Sequence, residues 1–395
     1  MNYSIILYIV GKVMMLEATC FLIPAVTSII YGEHEGLAYL TVGVVAAVIG
    51  YLISSKKKFE HVFFAREGFV MVALSWIVLS VVGAIPFVVT GEIPNMIDAL
   101  FETVSGFTTT GASILEDVES LSHTSLIWRS FTHWVGGMGV IVLLLAILPM
   151  AGGYNMHLMK AESPGPVVGK LVPRLRDTAK ILYLIYLVMT VIEFVILVII
   201  KMPVFDALCI TFGTAGTGGF GIKADSIGSY SYAIQVVVTI FMILFGVNFN
   251  AYFVLLGKHK KEAFKIEEVR WYFGIIFAAI LIITVNIRGY FDNILMALNH
   301  AAFQVGSIIT TTGYSTTDFD RWPQLSRNIL IFLMMCGACA GSTGGGLKVS
   351  RIVVMVKSAF QEIGYYIHPR GVKTIKMDGK VLEKPVLNSI RVFLI

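Results

Sequence analysis

Three short stretches of the chain carry the same polar chemistry: Phe107-Thr-Thr-Thr-Gly-Ala-Ser113, Ala215-Gly-Thr-Gly-Gly-Phe-Gly221 and Ile309-Thr-Thr-Thr-Gly-Tyr-Ser315. Their side chains are uncharged, so the ligands they offer are hydroxyl and backbone carbonyl oxygens. Neutral oxygens suit a weakly held monovalent cation. A calcium or magnesium site would present carboxylates, and none stands inside the loops. Glycine reaches φ > 0 and lets successive carbonyls point the same way, while β-branched threonine stiffens an extended segment. One such stretch alone is an ordinary turn. Three copies, each after an apolar segment too short to cross a bilayer and before one that crosses, read as pore loops whose carbonyls replace an ion's hydration shell. The filter residues are then Thr109, Thr110 and Gly111, Thr217, Gly218 and Gly219, and Thr311, Thr312 and Gly313.

A fourth glycine-rich stretch, Cys336-Gly-Ala-Cys-Ala-Gly-Ser-Thr-Gly-Gly-Gly-Leu-Lys348, interrupts the last long apolar run. Glycine inside a helix costs about 1 kcal/mol relative to alanine, so the triple glycine at 344–346 is expected to break the helix. It is not a phosphate loop, which needs G-x-x-x-x-G-K-[ST]. Here Leu347 separates Gly346 from Lys348, and Val349 follows. Cys336 and Cys339 have redox or zinc spacing, yet no second cysteine pair or histidine cluster accompanies them, so they read as small helix residues.

The elements that position these loops follow from composition. The 395 residues are 56% hydrophobic and 14% charged, against about 25% charged in soluble domains, which makes the chain an integral membrane protein. The net charge of +5 lies in short loops and sets topology; it is not a nucleic-acid patch. No cleavage site follows the first apolar stretch, which reads as a retained span. A crossing helix needs about 20 apolar residues, and such runs fall near 4–30, 37–55, 68–90, 125–150, 177–200, 231–256, 271–288 and 328–358. Basic residues concentrate in 54–67, 151–180 and 257–270, while the opposite loops hold Glu33, Glu35, Glu92, Glu116, Asp117 and Glu119. The positive-inside rule places the N-terminus in the cytoplasm and all three Thr/Gly loops outside. Thirteen positions before Gly111, Gly219 and Gly313 stand Asp98-Ala-Leu, Asp206-Ala-Leu and His300-Ala-Ala, expected to open three re-entrant half-helices. Asp98 and Asp206 suit the positive end of a helix dipole, and Pro203 suits a helix start. Glu17 and Glu193 fall inside spans, where ionisable groups are functional or paired at helix interfaces; Asn248 and Asn250 face either the pathway or a neighbouring helix.

With these loops, the stretch WRSFTHWVGGMGVIVLLLAILP from Trp128 to Pro149, and GVNFNAYF and AGSTGGGLKV, the chain resembles the TrkH/KtrB superfamily of potassium transporters, and is more similar to TrkH in its two extra N-terminal spans. The resemblance implies an all-α integral membrane fold of repeated helix–half-helix–filter loop–helix units around a central pore. It implies potassium uptake across a bacterial inner membrane and no enzyme activity. Gly111, where a sodium-favouring plant relative can carry serine, argues for potassium. The glycine stretch Gly341, Ser342, Thr343, Gly344, Gly345, Gly346 and Lys348 would obstruct the pore as a gate, with Arg351 at its cytoplasmic end. No cofactor is expected in the chain itself. The implied partners are a second copy in a homodimer and a cytoplasmic TrkA-like ring binding NAD(H) or ATP. The sequence leaves channel and ion-coupled symport both open.

The units divide as 1–60, the two-helix extension; 61–150, 151–262 and 263–360, three pore units; and 361–395, a cytoplasmic linker and the start of a fourth. The filter glycines lie 108 and 94 residues apart, so a fourth would fall near position 413. Most of the fourth unit is therefore expected to be missing, with Val386–Ile395 the opening of a span. Competing readings are a non-conducting fragment and a membrane enzyme holding a phosphate at the glycine stretch.

Overall fold

An apolar segment without water at its backbone must close its own hydrogen bonds, which selects helices. The computed structural model describes residues 3–55, 65–139, 175–257, 260–368 and 374–392. In chain order these form α1 (Tyr3–Cys20), α2 (Leu22–Tyr31), α3 (Gly36–Ser55), α4 (Ala65–Thr90), α5 (Met96–Phe107), α6 (His123–Gly137), α7 (Leu175–Ile199) and α8 (Val204–Gly216). There follow α9 (Tyr232–Phe245), α10 (Phe249–Leu256), α11 (Lys260–Ala263), α12 (Glu267–Ile287), α13 (Ile294–Ile309), α14 (Gln324–Met335) and α15 (Val349–Ile367). A two-residue hairpin, β1 (Lys376–Met377) and β2 (Lys380–Val381), and α16 (Lys384–Val392) complete the described chain.

Among the described residues, Tyr3–Tyr31, Gly36–Ser55, Arg66–Thr90, Asp177–Ile199 and Glu267–Tyr290 are long and apolar enough to cross a membrane. Only 33% to 44% of each crossing stretch is buried against protein. The remaining faces expose Ile29, Leu37, Val44, Ile199 and Phe277, as helices facing lipid do. The expected all-α membrane fold is what the chain adopts.

Trp128 of α6 is fully buried and sits among the rings of Phe21, Tyr39 and Phe107, with its Nε1 donating to the Gly83 carbonyl at 3.1 Å. One buried cluster thus joins α1 to α3 with the first pore unit. The N-terminal extension shares that unit's core.

Three expected spans differ in form. Residues 231–256 read as one spanning helix in the sequence, but α9 and α10 meet at 91°. The bend frees the Gly246 carbonyl and the Phe249 amide, and both are taken by the glycine stretch. The run 328–358 breaks as expected, but across the whole of 336–348 and not at 344–346 alone, leaving α14 and α15 on either side. Of 125–150, the part beyond residue 139 lies outside the described residues, as does most of the basic segment 151–180. The stretch read as an opening span is, where described, the short α16, whose Ile390 packs on Val354 and Ile375.

Candidate ion filter and glycine gate

The three half-helices are α5, α8 and α13, and each runs into a Thr/Gly loop. Their starts correct the sequence reading in detail. Asp98 and Asp206 lie in the first turns of α5 and α8, as expected, but neither makes the capping bond. Asn95 caps α5 by accepting from the Ile97 amide, and Asn293 caps α13 by accepting from Met296. α8 begins after Pro203 with no side-chain cap, and Asp206 instead accepts from the Tyr230 hydroxyl at 2.8 Å. α13 starts at Ile294, so His300 stands inside the helix, its ring nitrogen 2.9 Å from the Thr316 hydroxyl. An asparagine cap serves the end amides as well as a carboxylate does, and the expected spacing missed it.

The far ends of the half-helices repeat one geometry. Thr109, Thr217 and Thr311 have φ of 54°, 54° and 59°, and Gly111, Gly219 and Gly313 have φ of 76°, 83° and 87°. The next amides fold back identically: Thr110 to Ser105 O, Gly218 to Gly213 O and Thr312 to Ser307 O, each at 2.9 Å. Thr109, Thr217 and Thr311 bond to Gly106, Thr214 and Ile308 carbonyls at 3.0–3.1 Å. This pair of bonds is the helix-ending motif that normally carries glycine at its left-handed position. Here that position holds threonine, a β-branched residue rarely found at positive φ. Such strain costs about 1–3 kcal/mol per residue and persists only where the surroundings enforce it. The first threonine of each filter triplet is therefore turned left-handed, not extended as the sequence suggested.

The loops touch in order. A Cβ on Gly111 would come within 2.1 Å of Gly218 O, and one on Gly219 within 1.9 Å of Thr312 O. A Cβ on Gly313 would meet no described atom within 4 Å beyond its own chain neighbours. The nine filter residues named from sequence thus lie on three loops in sequential contact.

Behind the loops is a scaffold that the sequence reading missed. Arg129 of α6 is paired with Glu102 of α5 at 2.6 Å, and both side chains are buried. Glu102 also accepts from the Ser113 hydroxyl and the Ile114 amide, while Arg129 reaches Gly221 O at 3.3 Å. The pair therefore ties the first half-helix to the outer flanks of the first and second loops. The Tyr314 hydroxyl lies 3.3 Å from both Ile210 O and Phe220 O, linking the third loop to the second. Arg129 stood within a quoted motif, but only contact with Glu102 reveals its role.

Below the third loop, residues 336–348 close on themselves and on three neighbours. Gly337 donates to Leu347 O at 2.7 Å, and Val349 to Ala338 O at 3.3 Å. Cys339 donates to Gly246 O, Phe249 donates to Gly341 O, and Gly345 donates to the Thr311 hydroxyl at 2.8 Å. Thr343 reaches Phe245 O at 3.3 Å. The Lys348 ammonium bonds the carbonyls of Gly344 and Gly345 within the stretch itself. Glu268 of α12, 4% exposed, accepts from the Ala340 amide at 2.7 Å, the Ser350 amide at 3.1 Å and the Asn248 amide group at 3.4 Å. Asn248 caps α10, and the Asn250 amide is its partner. Ser342 turns back onto Cys339 O, and Arg351 is buried in the first turn of α15. Glu17 and Glu193 are buried in α1 and α7.

The sequence profile of the TrkH family, "Cation transport protein", matches residues 40–395. The chain belongs to the TrkH cation transport family. It is 38% identical to the Trk system potassium uptake protein TrkH of Escherichia coli K12, across 99% of this chain and 82% of the relative. It is 32% identical to Trk system potassium uptake protein TrkG of the same organism, across 98% and 81%. Its fold matches the crystal structure of the potassium transporter TrkH from Vibrio parahaemolyticus with a TM-score of 0.88 and 33% identity, covering 100% of this chain and 83% of the other. These matches to TrkH proteins lend no support to the expectation that most of a fourth pore unit is missing.

Proposed function

We infer that this TrkH-family chain is a membrane protein of potassium uptake, not an enzyme, and that potassium passes the ring of Thr/Gly loops. The observation that carries the reading is the threefold backbone pattern, left-handed at Thr109, Thr217 and Thr311 and again at Gly111, Gly219 and Gly313. A left-handed residue at every second position keeps successive carbonyls on one side, where they replace water around the ion. The half-helices aim their negative ends toward the loops, which favours a cation there. Neutral oxygens bind it weakly enough to release it.

Residues 341–346 with Lys348 act as the gate beneath the filter in this reading, because Gly345 bonds directly to the filter's Thr311. Movement of the stretch breaks identifiable hydrogen bonds and leaves the half-helices intact. Residence in a bacterial inner membrane with the N-terminus in the cytoplasm is supported by the distribution of basic loops. Homodimerisation and a regulatory ring of TrkA-like subunits binding NAD(H) or ATP belong to the same reading. The test is complementation: the chain expressed in cells lacking their own potassium uptake restores growth at low potassium, and Gly219→Ala abolishes that growth while the protein still reaches the membrane. Growth unchanged by Gly219→Ala refutes the filter.

A further inference from the structure

A cavity of about 580 Å³ opens beside the bend between α9 and α10. That size falls in the roughly 300–1,000 Å³ range of ligand pockets. Its walls are Leu244, Val247, Tyr252, Phe264 and Phe273, and Arg270 stands at its edge. Arg270 is exposed and forms no ion pair among the described residues. The exposed Lys260, Lys261 and Lys265 precede it in the same basic segment. Of the acids in this segment, Glu267 is engaged by Lys357 at 2.5 Å, Glu268 is buried against the glycine stretch, and Glu262 is exposed among the lysines. Phe264 is 69% and Trp271 50% exposed, the placement of aromatic residues at a membrane–water boundary. An apolar slot with a basic rim at the end of membrane helices has the chemistry of an anionic phospholipid: an acyl chain for the slot, a phosphate for the rim.

The cavity also borders both anchors of the glycine stretch. Val247 lies between Gly246, whose carbonyl takes the Cys339 amide, and Asn248, which bonds Glu268. Val269 and Arg270 directly follow Glu268, the acceptor for Ala340 and Ser350. We propose that this cavity holds an acyl chain of one anionic phospholipid, with its phosphate on Arg270 and Lys265, and that occupancy shifts the position of the glycine gate. The regulatory half rests on the gate reading above; the binding half rests only on the membrane fold.

Native mass spectrometry of the purified chain, titrated with phosphatidylglycerol or phosphatidylcholine, tests binding without any ion flux. One phosphatidylglycerol is expected to bind in preference. Arg270→Gln weakens it by about fivefold, and adding Lys265→Gln by about fivefold again, from ~1 kcal/mol per basic residue near a lipid phosphate. Lys201→Gln with Arg321→Gln, exposed and in the segments that precede α8 and α14, leaves binding unchanged. Equal retention of both lipids, or no change on losing Arg270 and Lys265, overturns the site. So does a disulfide between two protomers carrying Phe264→Cys, which would mean that a second copy covers this face. In liposomes, flux through the parent is expected to change with phosphatidylglycerol content, and flux through the double variant is not. Binding that persists while flux ignores lipid content overturns the regulatory half alone.

Discussion

The filter loops and the glycine stretch are both non-helical, glycine-bearing backbone at the centre of a membrane protein, yet they are held in opposite ways. Each filter loop closes onto its own half-helix by two backbone bonds; the first leans on the second and the second on the third at less than a side chain's distance, the Arg129–Glu102 pair backs the first two, and Tyr314 ties the third to the second. The glycine stretch meets its surroundings through single hydrogen bonds, from Cys339, Phe249, Gly345 and Thr343, and through the Glu268 carboxylate. Overdetermined backbone can hold strained threonines and a fixed ion cage. Backbone held by a few separable bonds has a second position within reach, since each such bond contributes only about 0.5–1.5 kcal/mol net. The two regions differ in the number of independent restraints, not in glycine content.

The contrast can be broken most severely at the buried ion pair. Arg129→Met leaves Glu102 buried and alone, which costs about 3–5 kcal/mol. A lowered melting temperature together with lost potassium uptake is expected; a stable, fully active variant would show that the loops do not depend on this scaffold. Next in size is Gly219→Ala. Its Cβ would lie 1.9 Å from Thr312 O at a φ of 83°, and overpacking of this kind costs about 1–3 kcal/mol. Folding is expected to survive and uptake to vanish, as read by rubidium tracer in potassium-starved cells. Gly111→Ser meets a similar contact at 2.1 Å from Gly218 O and is expected to lower the preference for potassium over sodium.

The glycine stretch, if it gates as proposed, responds in the opposite direction. Glu268→Ala removes the acceptor for the Ala340 amide of the stretch, the Ser350 amide at the start of α15 and Asn248. Hydrogen bonds to a charged group contribute about 1.5–3 kcal/mol, so flux without a regulator is expected to rise about tenfold or more. Deleting Gly344 to Gly346 should raise it likewise. Loss of flux in well-folded Glu268→Ala would make the stretch a structural brace, like the filter. The smallest effect is expected at Glu33, which binds the start of α6 through the amides of His123 and Thr124. Burial pushes its carboxyl up, but hydrogen bonds from Thr124 and His123 outweigh this and hold it below the ordinary 4.5. A depressed carboxylate contributes stability above its unfolded pKa and loses it as pH falls through the folded one. Glu33→Gln should therefore lower stability by about 1 kcal/mol at neutral pH, the size of a lost cap, and the difference from the parent should close in acid below 4.5.

The sequence by itself determined what is periodic or compositional. Apolar runs near bilayer length specified the spans, and three Thr/Gly repeats specified the loops and their register, down to Gly111, Gly219 and Gly313 sharing one backbone state. Local chemistry suffices there, because positive φ and the end of a short helix are properties of a few adjacent residues. The asparagine caps at Asn95 and Asn293 were legible in principle, but the more conspicuous Asp98 and Asp206 drew attention away from them. Only the tertiary structure decided the rest. That Arg129 meets Glu102, that Glu268 holds the ends of a stretch some 72 and 82 residues away, and that a straight-looking span turns through 91° all depend on contacts between distant segments. A buried charge advertises nothing about its partner in one dimension. The partner is fixed when helices pack and the cost of leaving either group alone out of water selects the single arrangement that satisfies both.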